Sequence, residues 1–311
     1  MTRTQKFRNL DDAPHHRSLS GILKWRFERV QQWKPIGKGA PASRIDNDGR
    51  ALRGAPRDAL TWIGHASWLV QLARTSIVID PVLFDRIAVT IARLVSAGLH
   101  IEELPALDAV LVTHNHLDHM DAPSLRALSA RPENPLFVVP AGLGAWFSSR
   151  GFRRVQELAW FESVGVGGTK VTFVPSQHWS RRSILDEDLS HWGGYVIEGN
   201  GHRVYHSGDT AYFSGFSLIR ERIGAPTAAL LPIGAYEPRW FMQSQHMNPE
   251  DSAKAFVDLG AQRFFAMHWG TFVLTDEPVD APPAFIRSVW NDLRLAPDAL
   301  SIPSVGETIY L

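Results

Sequence analysis

Between residues 114 and 119 the chain carries His114, His116, Asp118 and His119, one residue after the apolar run Val110-Leu111-Val112. Imidazole nitrogens and carboxylate oxygens suit borderline and hard divalent cations, zinc above all, with iron and manganese also compatible. Side chains alternate in extended backbone, which predicts that His114 and His116 point the same way, toward one ion. A turn after them presents Asp118 and His119 to a second ion. Two half-filled sites call for further ligands. His178 follows Val171-Thr172-Phe173-Val174-Pro175-Ser176-Gln177, Asp209 follows Val204-Tyr205-His206-Ser207-Gly208, and His268 follows Phe264-Phe265-Ala266-Met267. Taken singly, each reads as a core or loop residue; taken with the first cluster, they complete two sites. A solvated surface cluster of histidines rarely follows a hydrophobic strand with an aspartate at this spacing.

These residues need strands to carry them. β-rich runs are expected at Leu60–Ile63, Trp68–Leu72, Ser76–Ile79, Ala109–Thr113, Leu136–Val139, Lys170–Val174, Tyr195–Glu198, Arg203–His206, Ala228–Pro232 and Arg263–Met267. Alternation in Thr61-Trp62-Ile63 and in Lys170–Val174 predicts half-buried strands. Helices are expected near Pro123–Ala130, over Ala141–Ser149, and from Asn248, where Pro249 fits the first turn and Glu250 and Asp251 complement the dipole. Gly260 is the expected stop. Strands with interspersed helices predict a layered α/β body with two sheets inside and helices outside. Before it, residues 1–57 read as an N-terminal extension; residues 58–311 form the catalytic domain. Within the extension, Leu19, Ile22, Leu23, Val30 and Trp33 share one helical face, predicting a helix packed on the main body, with a basic element at a membrane surface as the alternative.

Composition narrows the function classes. Lys+Arg and Asp+Glu both number 32, a balance that argues against a nucleic-acid-gripping protein. Cysteine is absent, which excludes disulfides, thiol nucleophiles and thiolate metal sites. No apolar run reaches the roughly 20 residues needed to span a bilayer, and no signal peptide is apparent. The expected location is cytoplasmic, including peripheral attachment at the inner membrane face.

The pattern His114-x-His116-x-Asp118-His119 with later His178, Asp209 and His268 resembles the metallo-β-lactamase fold superfamily. That resemblance implies a four-layer αβ/βα sandwich. It also implies that Asp80, in Ile77-Val78-Ile79-Asp80-Pro81, supports the site from behind the ligands. A closer set of segments resembles the N-acylphosphatidylethanolamine-hydrolysing phospholipase D family and its bacterial relatives. It comprises Trp62-Ile63-Gly64-His65-Ala66, Pro175-Ser176-Gln177-His178-Trp179, Ser207-Gly208-Asp209-Thr210, the run Pro232–Met242, Gln245-His246, Asn248-Pro249-Glu250 and His268-Trp269-Gly270-Thr271-Phe272. By this resemblance His114, His116 and His178 hold one zinc, Asp118, His119 and His268 the other, and Asp209 bridges them. The implied reaction uses a hydroxide held by the pair to hydrolyse a glycerophospholipid to phosphatidate and N-acylethanolamine, with Asp118 in the catalytic set. A phospholipid substrate, peripheral membrane contact and a homodimer are implied too, and no nucleic acid.

Other residues are candidates for supporting or substrate roles. His246 suits a phosphate contact or proton donation to the leaving group. His65, in a strand turn, suits orientation of a ligand. Gln245 precedes His246, Tyr236 and Glu237 are candidates to shape the site, and Arg239 is either a phosphate anchor or one side of a salt bridge. Trp146, Phe147, Trp179, Trp25 and Trp33 are expected mostly in the core, an acyl-chain groove being the alternative. A lactonase or soluble phosphate-ester hydrolase of the same fold is the second functional reading, a nucleic-acid phosphodiesterase, disfavoured by the charge balance, the third, and a zinc-containing membrane scaffold the non-enzymatic alternative.

Overall fold

The computed structural model describes residues 6–10, 19–31, 37–54 and 57–311. Its strands are β1 (Ala59–Gly64), β2 (Ser67–Leu72), β3 (Thr75–Ile79), β4 (Arg86–Ile87), β5 (Ile91–Ala92), β6 (Ala109–Leu111), β7 (Leu136–Pro140) and β8 (Val155–Leu158). They continue with β9 (Ser163–Val166), β10 (Thr169–Val174), β11 (Gly194–Gly199), β12 (His202–His206), β13 (Ala228–Pro232), β14 (Arg263–Met267), β15 (Leu300–Ser301) and β16 (Thr308–Tyr310). The helices are α1 (Leu19–Gln31), α2 (Ala122–Ser129), α3 (Gly144–Ser148), α4 (Gly215–Ile223), α5 (Arg239–Met242), α6 (Pro249–Leu259) and α7 (Ala281–Asp292).

Two seven-stranded mixed sheets result, ordered β16-β1-β2-β3-β6-β7-β8 and β15-β14-β13-β12-β11-β10-β9. Local turn chemistry shapes the first. Ala73 and Arg74 both adopt positive φ between β2 and β3, the geometry of a tight hairpin turn. Further on, the pairs become parallel, β3 with β6, β6 with β7, and β12 through β15. Parallel pairs need crossovers, and α4, α6 and α7 supply them in the second sheet. The α6 crossover begins on a capping box between Asn248 and Asp251 and ends at Gly260 with φ 61°.

The sheets face each other across Trp62, Trp68 and Ile79 from one and Phe173, Tyr205 and Phe265 from the other. A second cluster, with Val78, Val110, Leu125, Leu128, Phe137 and Phe147, lies under α2 and α3. Helices therefore cover the outer faces, giving the four-layer αβ/βα sandwich. This layering corrects the expectation of half-buried strands. All six residues of β1 are buried, and only Lys170 is exposed in β10. Covered sheets lose the one-sided polar pattern.

The segment 37–54 lies along this body, with Ala42 N donating to Gly270 O and Ile45 N to Val305 O. Among the described side chains of α1, Trp25 and Arg29 turn inward, both bound to Asp276. Leu23, placed on the packing face from sequence, is 65% exposed instead. The side chains of Leu19, Ile22 and Val30, and all of Trp33, lie outside the described residues. Among the described residues, no helix is long and apolar enough to cross a membrane.

Candidate metal centre

The ends of β3, β6, β10, β12 and β14 lead into Asp80, His114, His178, Asp209 and His268, at one edge of the sandwich. Ligands in open α/β sheets collect at such carboxyl ends. Strand β6 stops at Leu111 rather than at Thr113, because Thr113 turns to the site. Its amide donates to Asp80 Oδ1 at 2.8 Å and its hydroxyl to Asp80 Oδ2 at 2.6 Å. Two ligand groups follow. His114, His116, His178 and Asp209 form one; Asp118, His119, His268 and His65 form the other.

Hydrogen bonds fix which ring nitrogen faces inward. Thr113 gives its hydroxyl proton to Asp80, so His114 Nδ1, at 3.0 Å, donates to that hydroxyl and leaves Nε2 free to coordinate. His119 Nδ1 donates to Asp80 Oδ2 at 2.7 Å, and His178 Nδ1 to the carbonyl of Gln245 at 2.9 Å. Their Nε2 atoms face inward likewise. His116 contributes Nδ1, 2.7 Å from His114 Nε2 and 3.2 Å from His178 Nε2. Asp209 stands between the groups. Its Oδ2 is 3.2 Å from His119 Nε2 and 3.9–4.0 Å from His178 and His114, and its Oδ1 is 3.1 Å from His268 Nε2.

Three of these buried atoms, His119 Nε2, His268 Nε2 and Asp209 Oδ1, converge with no aligned hydrogen-bond partner. Lone pairs aimed at a common point are what a cation requires, and the donor set of nitrogen and oxygen fits two borderline divalent ions. Charge agrees. Asp209, Asp80 and Asp118 overcome burial and hold the His119 imidazole well above its usual range. Against burial, His119 holds the carboxyls of Asp118 and Asp209 well below theirs. Burial, then repulsion by His119 and His178, pushes His114 well below the usual imidazole range. A pair of divalent ions would supply the positive charge that these carboxylates otherwise draw from a proton.

His65 reaches this centre as expected, but with more contacts than a turn residue suggests. Its Nε2 lies 3.2 Å from Asp118 Oδ2, and its carbonyl accepts from His268 N at 2.9 Å. Its own amide donates to Thr271 Oγ1, which steadies a φ of 55°. Burial, then His268, lowers its pKa to about 3, so it meets Asp118 as a neutral donor.

The remaining candidates divide. His246 lines a cavity of about 390 Å³ above the ligands, with Nδ1 3.8 Å from Asp209 Oδ2. Gln245 acts through its main chain, toward His178. Arg239 does not face the cavity. Its guanidinium binds Asp251 at 2.7 Å and the His246 carbonyl at 3.0 Å, so the salt bridge replaces the phosphate anchor. Tyr236 is buried with its ring against Phe285, 6.0 Å away, outside the cavity lining. Phe147 is core and Trp146 packs beside it, whereas Trp25 and Trp179 line the cavity with Arg26, Arg181, Phe241 and Met242. Sequence reasoning missed Thr113, Thr271 and Arg182, whose guanidinium holds the carbonyls of Asn115 and Met120 on either side of the ligand turn. Only Thr113, beside the motif, carried a local signal.

Known proteins share this framework. Residues 75–269 match the profile of a β-lactamase superfamily domain. A mitochondrial N-acyl-phosphatidylethanolamine-hydrolyzing phospholipase D of Saccharomyces cerevisiae is 34% identical over 80% of this chain and 55% of its own length. A Caenorhabditis elegans protein of the same description is 35% identical over 68% and 64%. The chain thus spans between about half and two thirds of these curated relatives. A metal-dependent hydrolase of Koribacter versatilis is 32% identical over 70% of this chain and 88% of its own. Among solved structures, an isothiocyanate hydrolase from Delia radicum gut bacteria superposes with a TM-score of 0.65 at 24% identity, over 81% of this chain and 99% of that one.

Proposed function

Because the chain belongs to the β-lactamase superfamily, as a metallo-β-lactamase-fold hydrolase with two His/Asp metal clusters, we propose that it is a zinc-dependent phosphodiesterase of the phospholipase D type. Its substrates are N-acylphosphatidylethanolamine or related glycerophospholipids. The observation that carries this reading is the juxtaposition of both clusters with one amphipathic cavity. Trp25, Ile87, Phe241 and Met242 offer apolar surface, Arg26 and Arg181 positive charge, and Asp118, Asp209, His246 and His268 open into it. That lining suits a phosphodiester joined to long acyl chains. The relatives from yeast and nematode support the same choice.

His114, His116 and His178 would hold one ion, Asp118, His119 and His268 the other, with Asp209 shared. Bound ions supply Lewis acidity and a lowered pKa for water. The protein's own groups do the rest. Asp80, Thr113 and the Gln245 carbonyl hold the imidazoles in the coordinating tautomer. His65 holds Asp118. His246, at the cavity wall, is placed to give a proton to the departing alkoxide oxygen as the phosphorus–oxygen bond to the head group breaks. Water's oxygen ends on phosphorus, and phosphatidate and N-acylethanolamine are released.

The test is incubation of zinc-loaded protein with N-acylphosphatidylethanolamine, products resolved by mass. Phosphatidate and N-acylethanolamine should appear, and Asp209→Asn should lower kcat by about 10²–10³, the order lost with one electrostatic element of a reacting centre. Cleavage at an acyl ester, or turnover of soluble esters alone, would refute the proposal and favour a lactonase-like hydrolase.

A further inference from the structure

We infer that Asp276 is a positioning residue that fastens helix α1 over the catalytic cavity, making α1 the wall against which the apolar chain of a substrate lies. The inference deepens the phosphodiesterase reading and rests on it for the choice of substrate. Its geometry is independent. Trp25 Nε1 donates to Asp276 Oδ2 at 2.7 Å, and Arg29 Nε pairs with Oδ1 at 3.0 Å. The two donors stand four residues apart, on one face of the helix. One carboxylate, its side chain 7% exposed, thus accepts the indole bond across 251 residues of sequence and faces the guanidinium as an ion pair.

The carboxylate itself sits on a braced loop. Asp276 N donates to the Glu237 carbonyl. Its neighbour Glu277, also buried, accepts from Ala235 N at 2.6 Å, Glu237 N at 3.1 Å and Thr275 Oγ1 at 2.8 Å. These bonds hold the 235–237 turn to the loop that follows His268, whether or not α1 is attached. Other ties of helix α1 to the body include the Trp25 ring, tilted against Phe241 at 5.3 Å, and Lys24 over the exposed Trp240. Removing Asp276 leaves Arg29 without its acid and the indole without its acceptor, a costly combination in a half-buried place. The helix should lift away while the ligands stay. Since Trp25 and Arg26 are its contributions to the cavity, the loss falls on the chain of the substrate rather than on the phosphate.

Two measurements on the zinc-loaded full chain test this. Hydrogen exchange of the amides in residues 19–31 should accelerate in Asp276→Ala, and less in Arg29→Met, which keeps the indole bond. Calorimetry with butyl phosphate and dodecyl phosphate reads the wall without turnover. In Asp276→Ala the ratio of dodecyl to butyl Kd should rise about tenfold, the equivalent of about two methylene groups no longer buried, with two metal ions retained. With diester substrates the same change should fall on KM rather than kcat. Unchanged exchange in α1, or faster exchange with an unchanged Kd ratio, would overturn the inference. If the wild type turns over no diester, the proposed function fails, while exchange and calorimetry still decide the role of Asp276.

Discussion

Asp80 is fully buried and outside the lining of the cavity above the ligands, yet it governs a ligand and the strand end before it. One oxygen takes the Thr113 amide, the other takes both the Thr113 hydroxyl and His119 Nδ1. Its backbone holds φ at 44°, in the left-handed region, and its amide donates to Leu111 O at 2.9 Å, so the carboxylate is aimed by the chain and not by a flexible stem. Asn at this position keeps the shape but replaces one acceptor with an amide donor. The Asn nitrogen would then face either the Thr113 amide or the His119 Nδ1 proton. His119 would lose the partner that fixes its tautomer, and His114, tied to the same threonine, would loosen with it. Asp80→Asn should therefore weaken binding of the ion at Asp118, His119 and His268 by about 10–100-fold, the usual cost of losing a partner behind a metal-bound histidine. Competition with a chelator, read by elemental analysis, measures it. Equal affinity in the variant would mean that His119 is oriented by packing alone.

At the scale of elements, close approach of β13 and β14 places His268. A Cβ on Gly234 would stand 2.3 Å from the His268 carbonyl and 3.1 Å from Trp269 Cα. Both are backbone atoms, which cannot swing aside. Gly234→Ala should therefore destabilise the fold by about 1–3 kcal/mol through overpacking. It should also displace His268, lowering the second metal equivalent. Gly165→Ala is the control, because a Cβ there meets nothing within 4 Å; urea denaturation of the two variants should separate them. The need for Gly234 was not legible in the sequence, since it arises between residues far apart along the chain. What was legible shared a different property. The ligand turn after β6, the capped start of α6 and its glycine stop are local, and each was read within a few residues of its place. Helix α4, whose Ser214 makes no side-chain cap, and the short partly exposed β8 and β9 carried no such signal. Arg182 and Glu277 were invisible for the same reason as Gly234. The carbonyls that Arg182 holds and the amides of residues 235 and 237 that Glu277 accepts from lie 40 or more residues away in sequence.

At the scale of the whole molecule, four layers bury imidazoles that water would protonate. His191 is the clearest case because it lies apart from the ligands. It is 6% exposed, stacked on Phe7 at 4.4 Å and beside Trp160 at 4.2 Å, and its Nδ1 is buried without a hydrogen bond. Burial lowers its pKa from 6.5 to about 3. The unfolded chain then binds a proton below pH 6.5 that the folded chain refuses until about pH 3. Between these values the unfolded state holds more protons, so stability rises with pH and is lost as pH falls. The metal centre loses stability in acid too, because its ligands must give up cations to take protons. The two causes separate in a comparison of variants. His191→Phe keeps the stacked ring and every ligand, so acid release of metal is common to both proteins. Relative to wild type, the variant should gain about 1.4 kcal/mol between about pH 7.5 and about pH 5.5, one pKa unit's worth of linkage. Urea midpoints at the two pH values, with zinc held in excess, give that difference. A difference that stays flat with pH would mean that His191 accepts its proton in the folded chain, and that the Phe7–Trp160 stack opens to water in mild acid.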